Sequence, residues 1–508
     1  MRITTRTTTT TTPEYHEHFD KVDTTTVITY SDDTTKTTVD TLLTSRGKVL
    51  KLPLITTESV ELSRIETDDA VDEDTGEVII GDDHADMGTR TAGYIADSAA
   101  YRTDEFSYLG NQQLSVSNFD VAYSRGWTGK GSTIVIADTG ANTSHSNLDN
   151  NIKYTVDYTG TGMNTSATHG THVTGIAGAE RNGVGMHGSA FDADIAVAKV
   201  SSGNFYSFSN AIKAAAWGKS LGSVAINVSA EVNYDRGFRN SIVKQADGEY
   251  YSTHWYYGEN GYNGAVNEAV KWKDALGDEQ VLVKAAGNAG WDYSAGMNQM
   301  ATATDKNGNL ILDGQMIIVG NWDQNNSKVN SSSNKAGTVC ATYSGGKCID
   351  AAQIKDFYIL ANGTAITSTA TNGGYTTMTG TSMAAPVVTG AVAVLHQMWP
   401  FMRGKNLVQL IMTTGNKNIA GYDENVHGQG LLDMDTATRP VGATGIPTSG
   451  RTNGGVSAVA GSANVQGVAA SELEALTSVM VLDSFERDFY IDLGDMTQAV
   501  DTRTASVA

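Results

Sequence analysis

The chain has 508 residues, 40% of them hydrophobic, enough for a sizeable core and roughly two to four domains of about 150 residues each. With 35 Lys and Arg against 56 Asp and Glu, its formal charge of −21 disfavours nucleic acid and anionic membranes as partners. Only two Cys exclude a disulfide-stapled miniature scaffold and a multi-cysteine zinc protein, and 54 Gly with 6 Pro fit neither collagen nor a Pro-rich linker protein.

In chain order, Met1–Pro13 (MRITTRTTTTTTP) has two Arg but no apolar core, so it does not read as a signal peptide. Residues 1 to about 56 are Thr-rich, with extended-favouring pieces at Thr24–Tyr30 and Lys48–Ile55. A flexible or weakly β-structured leader is expected there, in preference to a pro-segment or adhesive stalk. From Thr57 to Phe106 fifteen acids face three bases, so this stretch holds twelve of the twenty-one excess negative charges. It is expected to be solvated and partly disordered. Residues 1–106 are taken together as one N-terminal region.

From Tyr108 apolar runs alternate with helix-like stretches. Strands are predicted at Thr133–Ala137, Ile195–Val200, Ser223–Val228, Val281–Ala286 and Met316–Gly320. Helices are predicted at His169–Ala179, Ser209–Leu221, Gly264–Leu276 and Ser382–Met398. Continuous apolar strands suit a sheet covered on both faces, and the alternation predicts a doubly wound, mostly parallel α/β sheet flanked by helices over 107–440. Glu231–Asn263 and Asn321–Thr377 read as surface insertions. Met378–Met402 carries no formal charge, but its Gly, Pro and Thr residues break the apolar run, so a buried helix is expected rather than a membrane span. Residues 441–508 read as a Gly/Ser-rich linker followed by a short β extension at Val479–Leu493.

Four segments carry chemistry. Asp138 ends the strand TIVIA, where α/β sheets gather functional groups, although Asp-Thr-Gly is also ordinary turn chemistry. Thr168–Gly178 (THGTHVTGIAG) puts His169 at the start of a helix, whose N-terminus is expected to lower an imidazole pKa and so favour a neutral base. His172 lies three residues on, but the HExxH spacing is absent, so a structural role is expected. Thr379–Pro386 (TGTSMAAP) gives Ser382 small neighbours, an exposed hydroxyl and a backbone N–H aimed at the same point. In Val283–Gly290 (VKAAGNAG) a strand runs into a Gly-rich turn presenting Asn288, whose amide can donate to an oxyanion without carrying charge.

Asp, His and Ser in this order, on an α/β framework, resemble the subtilisin-like serine proteases, or subtilases. The resemblance is carried by Gly129–His145 (GKGSTIVIADTGANTSH), His169–Gly178, Ile226–Ser229 (INVS), Ala285–Gly290 (AAGNAG) and Gly380–Gly390 (GTSMAAPVVTG). It spans about Ser107 to Pro440. It implies that Asp138 orients His169, that His169 is general base and acid, and that Ser382 is the nucleophile. Asn288 and the Ser382 N–H would form the oxyanion hole. Ser229, Ala230 and Glu231 would line one wall of the pocket for the residue before the scissile bond, with Ala285, Ala286 and Gly287 opposite. The family usually has Gly where this chain has Glu231. The implied function is a secreted serine endopeptidase acting on proteins or peptides, with a surface structural or adhesive protein carrying an inactive protease domain as the alternative. No cofactor is required for such chemistry. Many subtilases hold structural calcium; here its presence is left open and no metal ligands are assigned.

A narrower resemblance is to the passenger domains of autotransporter subtilases. It rests on Asn307–Gly320 (NGNLILDGQMIIVG), Asn334–Gly337 (NKAG), the Cys340 to Cys348 segment, Gly430–Asp433 (GLLD) and Val481–Leu493 (VLDSFERDFYIDL). That family ends in a membrane β-barrel, which residues up to Ala508 do not resemble. An extracellular or cell-surface location is expected, with surface attachment if a barrel lies outside this sequence. Cys340 and Cys348 flank Ser344-Gly345-Gly346, so a disulfide closing a surface hairpin is expected.

Overall fold

The computed structural model describes residues 98–163, 168–202, 205–230, 261–294, 296–341, 350–442 and 479–491, together with backbone strands within 3–51, 242–252 and 343–348. The chain divides into two units, Met1–Asp86 and Met87–Ala508.

In the first unit, Ile3–Thr10, Phe19–Tyr30, Thr35–Ser45 and Lys48–Lys51 pair antiparallel in that order, and Glu14–His16 pairs with the start of Phe19–Tyr30. A Thr-rich, β-branched sequence therefore forms extended chain, as its propensities favour. The acidic residues 57–97 lie outside the described residues.

The second unit is built on seven parallel strands. They are β1 (Thr133–Asp138), β2 (Ile152–Asp157), β3 (Asp194–Lys199), β4 (Ala225–Val228), β5 (Val281–Ala285), β6 (Met316–Asp323) and β7 (Tyr358–Asn362). Their order across the sheet is β7-β6-β5-β4-β1-β3-β2, with Lys328–Val329 added antiparallel at the end of β6. Alternate residues enter opposite cores. Ile134, Ile136, Ile195, Val197, Val281 and Val283 face one core, and Val135, Ala137, Ala196, Ala198, Ile226 and Leu282 face the other. Each such aliphatic burial contributes about 1.5–3 kcal/mol before entropy is counted.

Helices α1 (Thr168–Gly178) and α4 (Thr381–Met398) cover the first face; α2 (Phe208–Ser220) and α3 (Gly261–Leu276) cover the second. Helix α4 is buried almost along its whole length, which accounts for its charge-free sequence. No described helix is long and apolar enough to cross a membrane. The chain runs from β1 outward to β2 and β3, then returns past β1 to β4. The sheet order therefore reverses between β1 and β4, and side chains at their carboxyl ends meet in the crevice this leaves.

Three parts of the sequence reading change. Asn321–Thr377 is not only a surface insertion, because it supplies the buried strand β7 and the hairpin Ile366–Thr369 with Tyr375–Met378. Ser368 and Thr369 of that hairpin donate to the His172 and Thr171 carbonyls of α1, both at 2.8 Å. Residues ahead of 107 already join the core, since Phe106 is buried in it and Tyr101 packs against it. At the other end, strands Val479–Leu482 and Asp488–Ile491 pair antiparallel, and Phe489 packs on Trp399 in the same core. Arg487 and Asp483 are fully buried there and form an ion pair at 2.6 Å, with Arg487 lying 4.3 Å over the Trp399 ring.

Candidate active site

Asp138 is the last residue of β1 and is buried. His169 is the second residue of α1, and its Nδ1 lies 2.8 Å from Asp138 Oδ1 and 3.0 Å from Oδ2. Two contacts fix this approach of helix to strand end. The Gly170 N–H donates to Thr139 Oγ1 at 2.9 Å, and the Thr139 N–H donates to Asp138 Oδ1 at 2.7 Å. A Cβ on Gly170 would sit 2.1 Å from the Gly140 carbonyl, so only glycine lets α1 come this close.

The helix N-terminus was expected to lower the His169 pKa. The direction is the opposite: the Asp138 carboxylate raises it, outweighing burial, which acts to lower it. A full charge at hydrogen-bond distance outweighs the half charge of a helix end. His172 is buried, with Nε2 3.0 Å from both the Ile366 and Thr376 carbonyls. Burial pushes its pKa down to about 4. It ties α1 to the neighbouring hairpin, the structural role expected from its sequence.

Ser382 is the second residue of α4. Four residues on stands Pro386, which has no N–H to return to the Ser382 carbonyl. That carbonyl instead accepts a bond from Ser229 Oγ at 2.9 Å, and Ser382 Oγ donates to the Ser229 carbonyl at 3.2 Å. The residue after β4 and the second residue of α4 are thus tied reciprocally. Asn227 Nδ2 donates to Ser229 Oγ at 2.9 Å, and Thr389 Oγ1 donates to Asn227 Oδ1 at 3.1 Å, extending the network from the strand back to α4. In this conformation the Ser382 hydroxyl is engaged with Ser229 rather than with His169.

Asn288 follows β5. Its Oδ1 accepts from the Thr381 N–H at 2.9 Å and the Thr381 hydroxyl at 3.2 Å. With the oxygen edge taken by Thr381, the residue before Ser382, the amide is held in one orientation and its NH2 is the edge left as a donor. The loop itself is held by Asn334. Asn334 Oδ1 accepts from the Ala289 and Trp291 N–H groups, both at 3.1 Å, and its Nδ2 donates to the Ala286 carbonyl at 3.2 Å. Its backbone N–H donates to the Gly287 carbonyl at 2.9 Å. Gly287 has φ 112°, a value that a residue with a side chain rarely adopts.

The expected walls can be placed in part. Ser229 and Ala230 continue from β4; Ala285 ends the neighbouring strand β5, and Ala286 and Gly287 follow it. Glu231 lies outside the described residues. Lys284 was singled out by nothing in the sequence reading, yet its buried Nζ donates to the Ala230 carbonyl at 3.1 Å and the Ala285 carbonyl at 3.2 Å. Thr139, Thr381, Asn227, Asn334 and Lys284 were all missed as site residues. NKAG and VKAAGNAG were visible as motifs, but a buried partner distant in sequence leaves no spacing signal. Among the described residues, no group of three or more His, Cys, Asp or Glu side chains converges to hold a metal ion.

The profile of the subtilase family, Peptidase_S8, matches residues 129–431. An extracellular serine protease of Serratia marcescens is 29% identical over 377 residues, covering 66% of this chain and 34% of its own length. This chain thus spans about a third of that relative. A subtilisin of Bacillus sp. (strain TA39) is 29% identical over 279 residues, covering 54% of this chain and 58% of its own. A solved cold-adapted subtilisin-like serine proteinase is 21% identical, covers 61% of this chain and 90% of its own, and superposes with a TM-score of 0.41.

Proposed function

This chain belongs to the subtilase family of serine proteases, and we propose that it is an active serine endopeptidase working through Ser382, His169 and Asp138. The observation that supports the proposal is the buried Asp138 carboxylate on His169 Nδ1 at 2.8 Å, together with Ser382 in the first turn of α4. A carboxylate there fixes the tautomer with the proton on Nδ1, leaving Nε2 free to accept.

In the proposed reaction the Ser382 hydroxyl leaves the Ser229 carbonyl and its Oγ attacks the scissile carbonyl carbon, while His169 Nε2 takes the proton. Asp138 stabilises the imidazolium that forms. The oxyanion is held by the Asn288 amide and the Ser382 N–H. Breaking the C–N bond transfers the proton from His169 to the leaving amine. Water then attacks the acyl carbon while His169 takes its proton; the C–Oγ bond breaks, His169 returns the proton to Ser382 Oγ, and the acid product departs. Every group named belongs to this chain.

Substrates are proteins or peptides, with the residue before the scissile bond entering between Ser229–Ala230 and Ala285–Gly287. If Glu231 stands at the pocket mouth, it would favour a cationic residue there by a factor of several, the scale of a partly solvated pair. Profiling peptides with Glu231→Gln checks this, and an unchanged preference removes Glu231 from the pocket. The location proposed is extracellular, in line with the names of the Serratia relatives. A Cys340–Cys348 bridge belongs to the same proposal. It is supported by the antiparallel pairing of Tyr343–Ser344 with Lys347–Cys348 and by the burial of Cys340. Two alkylatable thiols in unreduced protein would count against it.

The experiment for the main reading is hydrolysis of an unfolded protein substrate by the wild type and by Ser382→Ala and His169→Ala. The proposal expects activity in the first and its loss in both variants, with the fold retained. Full activity in Ser382→Ala removes Ser382 as nucleophile. An inert wild type instead favours the structural or adhesive alternative.

A further inference from the structure

Strand β5 reads VLVKA, and every residue in it is buried. Four are apolar; the fifth is Lys284, only 3% exposed. A buried ammonium is costly unless hydrogen-bonded, so its position calls for a reason in the surrounding contacts. By strand alternation Lys284 shares a face with Leu282 and Ala286, which pack in the same core as Ala230, Met297 and Met300.

The ladder between β4 and β5 runs from Ala225–Val281 to Val228–Lys284 and ends there. The next residues along the two strands are Ser229–Ala230 and Ala285–Gly287. Backbone pairing holds parallel strands about 4.8 Å apart. Beyond Val228–Lys284 the strands have to part if a substrate side chain is to enter between them. What spans the parting is the Lys284 ammonium, which donates to Ala230 on one wall and Ala285 on the other.

We infer that Lys284 sets the spacing of the two pocket walls and is a positioning residue for the choice of side chain before the scissile bond. The inference rests on the endopeptidase reading above. The Lys284 ammonium takes the place of the ladder bond that would otherwise close the pocket, and its four-carbon stem fixes how far the walls part. The nucleophile and the oxyanion loop have further anchors in Thr381 and Asn334, so the effect is expected mainly in KM.

The test uses the full chain and an uncharged peptide series with Ala, Leu or Phe before the scissile bond, so that the lysine's charge plays no part. Lys284→Met keeps the stem and removes the donors; Lys284→Arg keeps donors and charge. Labelling of Ser382 with a fluorophosphonate gives the concentration of folded, competent enzyme for each variant. In Lys284→Met the wild-type ratio of kcat/KM between the best and worst peptide is expected to fall about tenfold, mainly through KM. That is the scale at which a pocket discriminates a methylene or so of fit. Lys284→Arg should keep the ratio within about threefold, inside that same scale. A ratio unchanged in Lys284→Met overturns the inference while leaving the endopeptidase reading intact. If Lys284→Met does not fold, Lys284→Gln takes its place under the same criterion. A wild type that neither labels nor cleaves sinks the endopeptidase reading itself.

Discussion

The bond between Ser229 and the Ser382 carbonyl exists because Pro386 cannot supply the helical one, and this can be tested by exchanging one donor for the other. Ser229→Ala removes the only side-chain donor shown to reach that carbonyl and leaves Asn227 Nδ2 without its 2.9 Å acceptor. An oxygen left unsatisfied in a buried site costs about 1–3 kcal/mol, so a loss near 2 kcal/mol is expected. Pro386→Ala creates an N–H one helical turn beyond the carbonyl, where an i to i−4 bond can form. In the double variant this N–H takes over from the missing hydroxyl. The two changes should therefore couple favourably by about 1 kcal/mol, well above the scatter of independent sites. The cycle is measured by urea unfolding in a Ser382→Ala background, which keeps the carbonyl and prevents self-digestion. Strict additivity of the two substitutions would refute the reasoning, since it would mean that the hydroxyl and the helix do not compete for one acceptor.

Other consequences follow from the charges. Asp138→Asn removes the carboxylate that raises the His169 pKa, so the acid limb of kcat/KM should move to lower pH. Turnover should also fall, on the order of 10⁴, the scale found for a misassigned tautomer in other serine-protease triads. An unmoved acid limb contradicts this. His172 and His187 are both held neutral by burial, with pKa values pushed down to about 4. The unfolded chain binds their protons from about pH 6.5 downward while the folded chain refuses them until about 4. Their contribution to stability is present above about pH 6.5 and lost as pH falls towards 4, at up to about 2.7 kcal/mol per pH unit for the pair. His169, with its raised pKa, works in the opposite sense. Urea midpoints that do not change between pH 7 and 4.5 contradict the assignment. Arg487→Ala leaves Asp483 charged and buried and should cost about 3–5 kcal/mol, read by urea unfolding; a loss below about 1 kcal/mol would show the C-terminal hairpin to be dispensable.

What the sequence made legible was set by how local each signal is. Strands such as TIVIA and VLVKA are short apolar runs because the sheet is covered on both faces, so β1, β3, β4, β5 and β6 could be read directly. Strand β2 was missed because it lies at an edge with three of six residues exposed, which erases the apolar run. Strand β7 (YILAN) was lost inside a segment whose turns suggested a surface insertion. The site divides in the same way. Asp138, His169, Asn288 and Ser382 stand in motifs of small residues that the backbone geometry demands. Thr381 sits inside one of those motifs unrecognised, because its part is to accept the Gly287 N–H and hold the Asn288 amide. Asn334 and Lys284 act through contacts with chain distant or parallel to their own, and no spacing rule points to them. The pKa direction of His169 was misread for a related reason: the helix end is visible in the sequence, whereas the distance to Asp138 is not.

The central claim is that Ser382 is a nucleophile activated by His169 on Asp138. It is tested most directly by treating the native protein with a fluorophosphonate and mapping the adduct by peptide mass spectrometry. The account predicts one adduct, on Ser382, formed far faster than in denatured protein, lost in His169→Ala and slowed in Asp138→Asn. No adduct on the native protein, or an adduct on another serine that persists in Ser382→Ala, would contradict it.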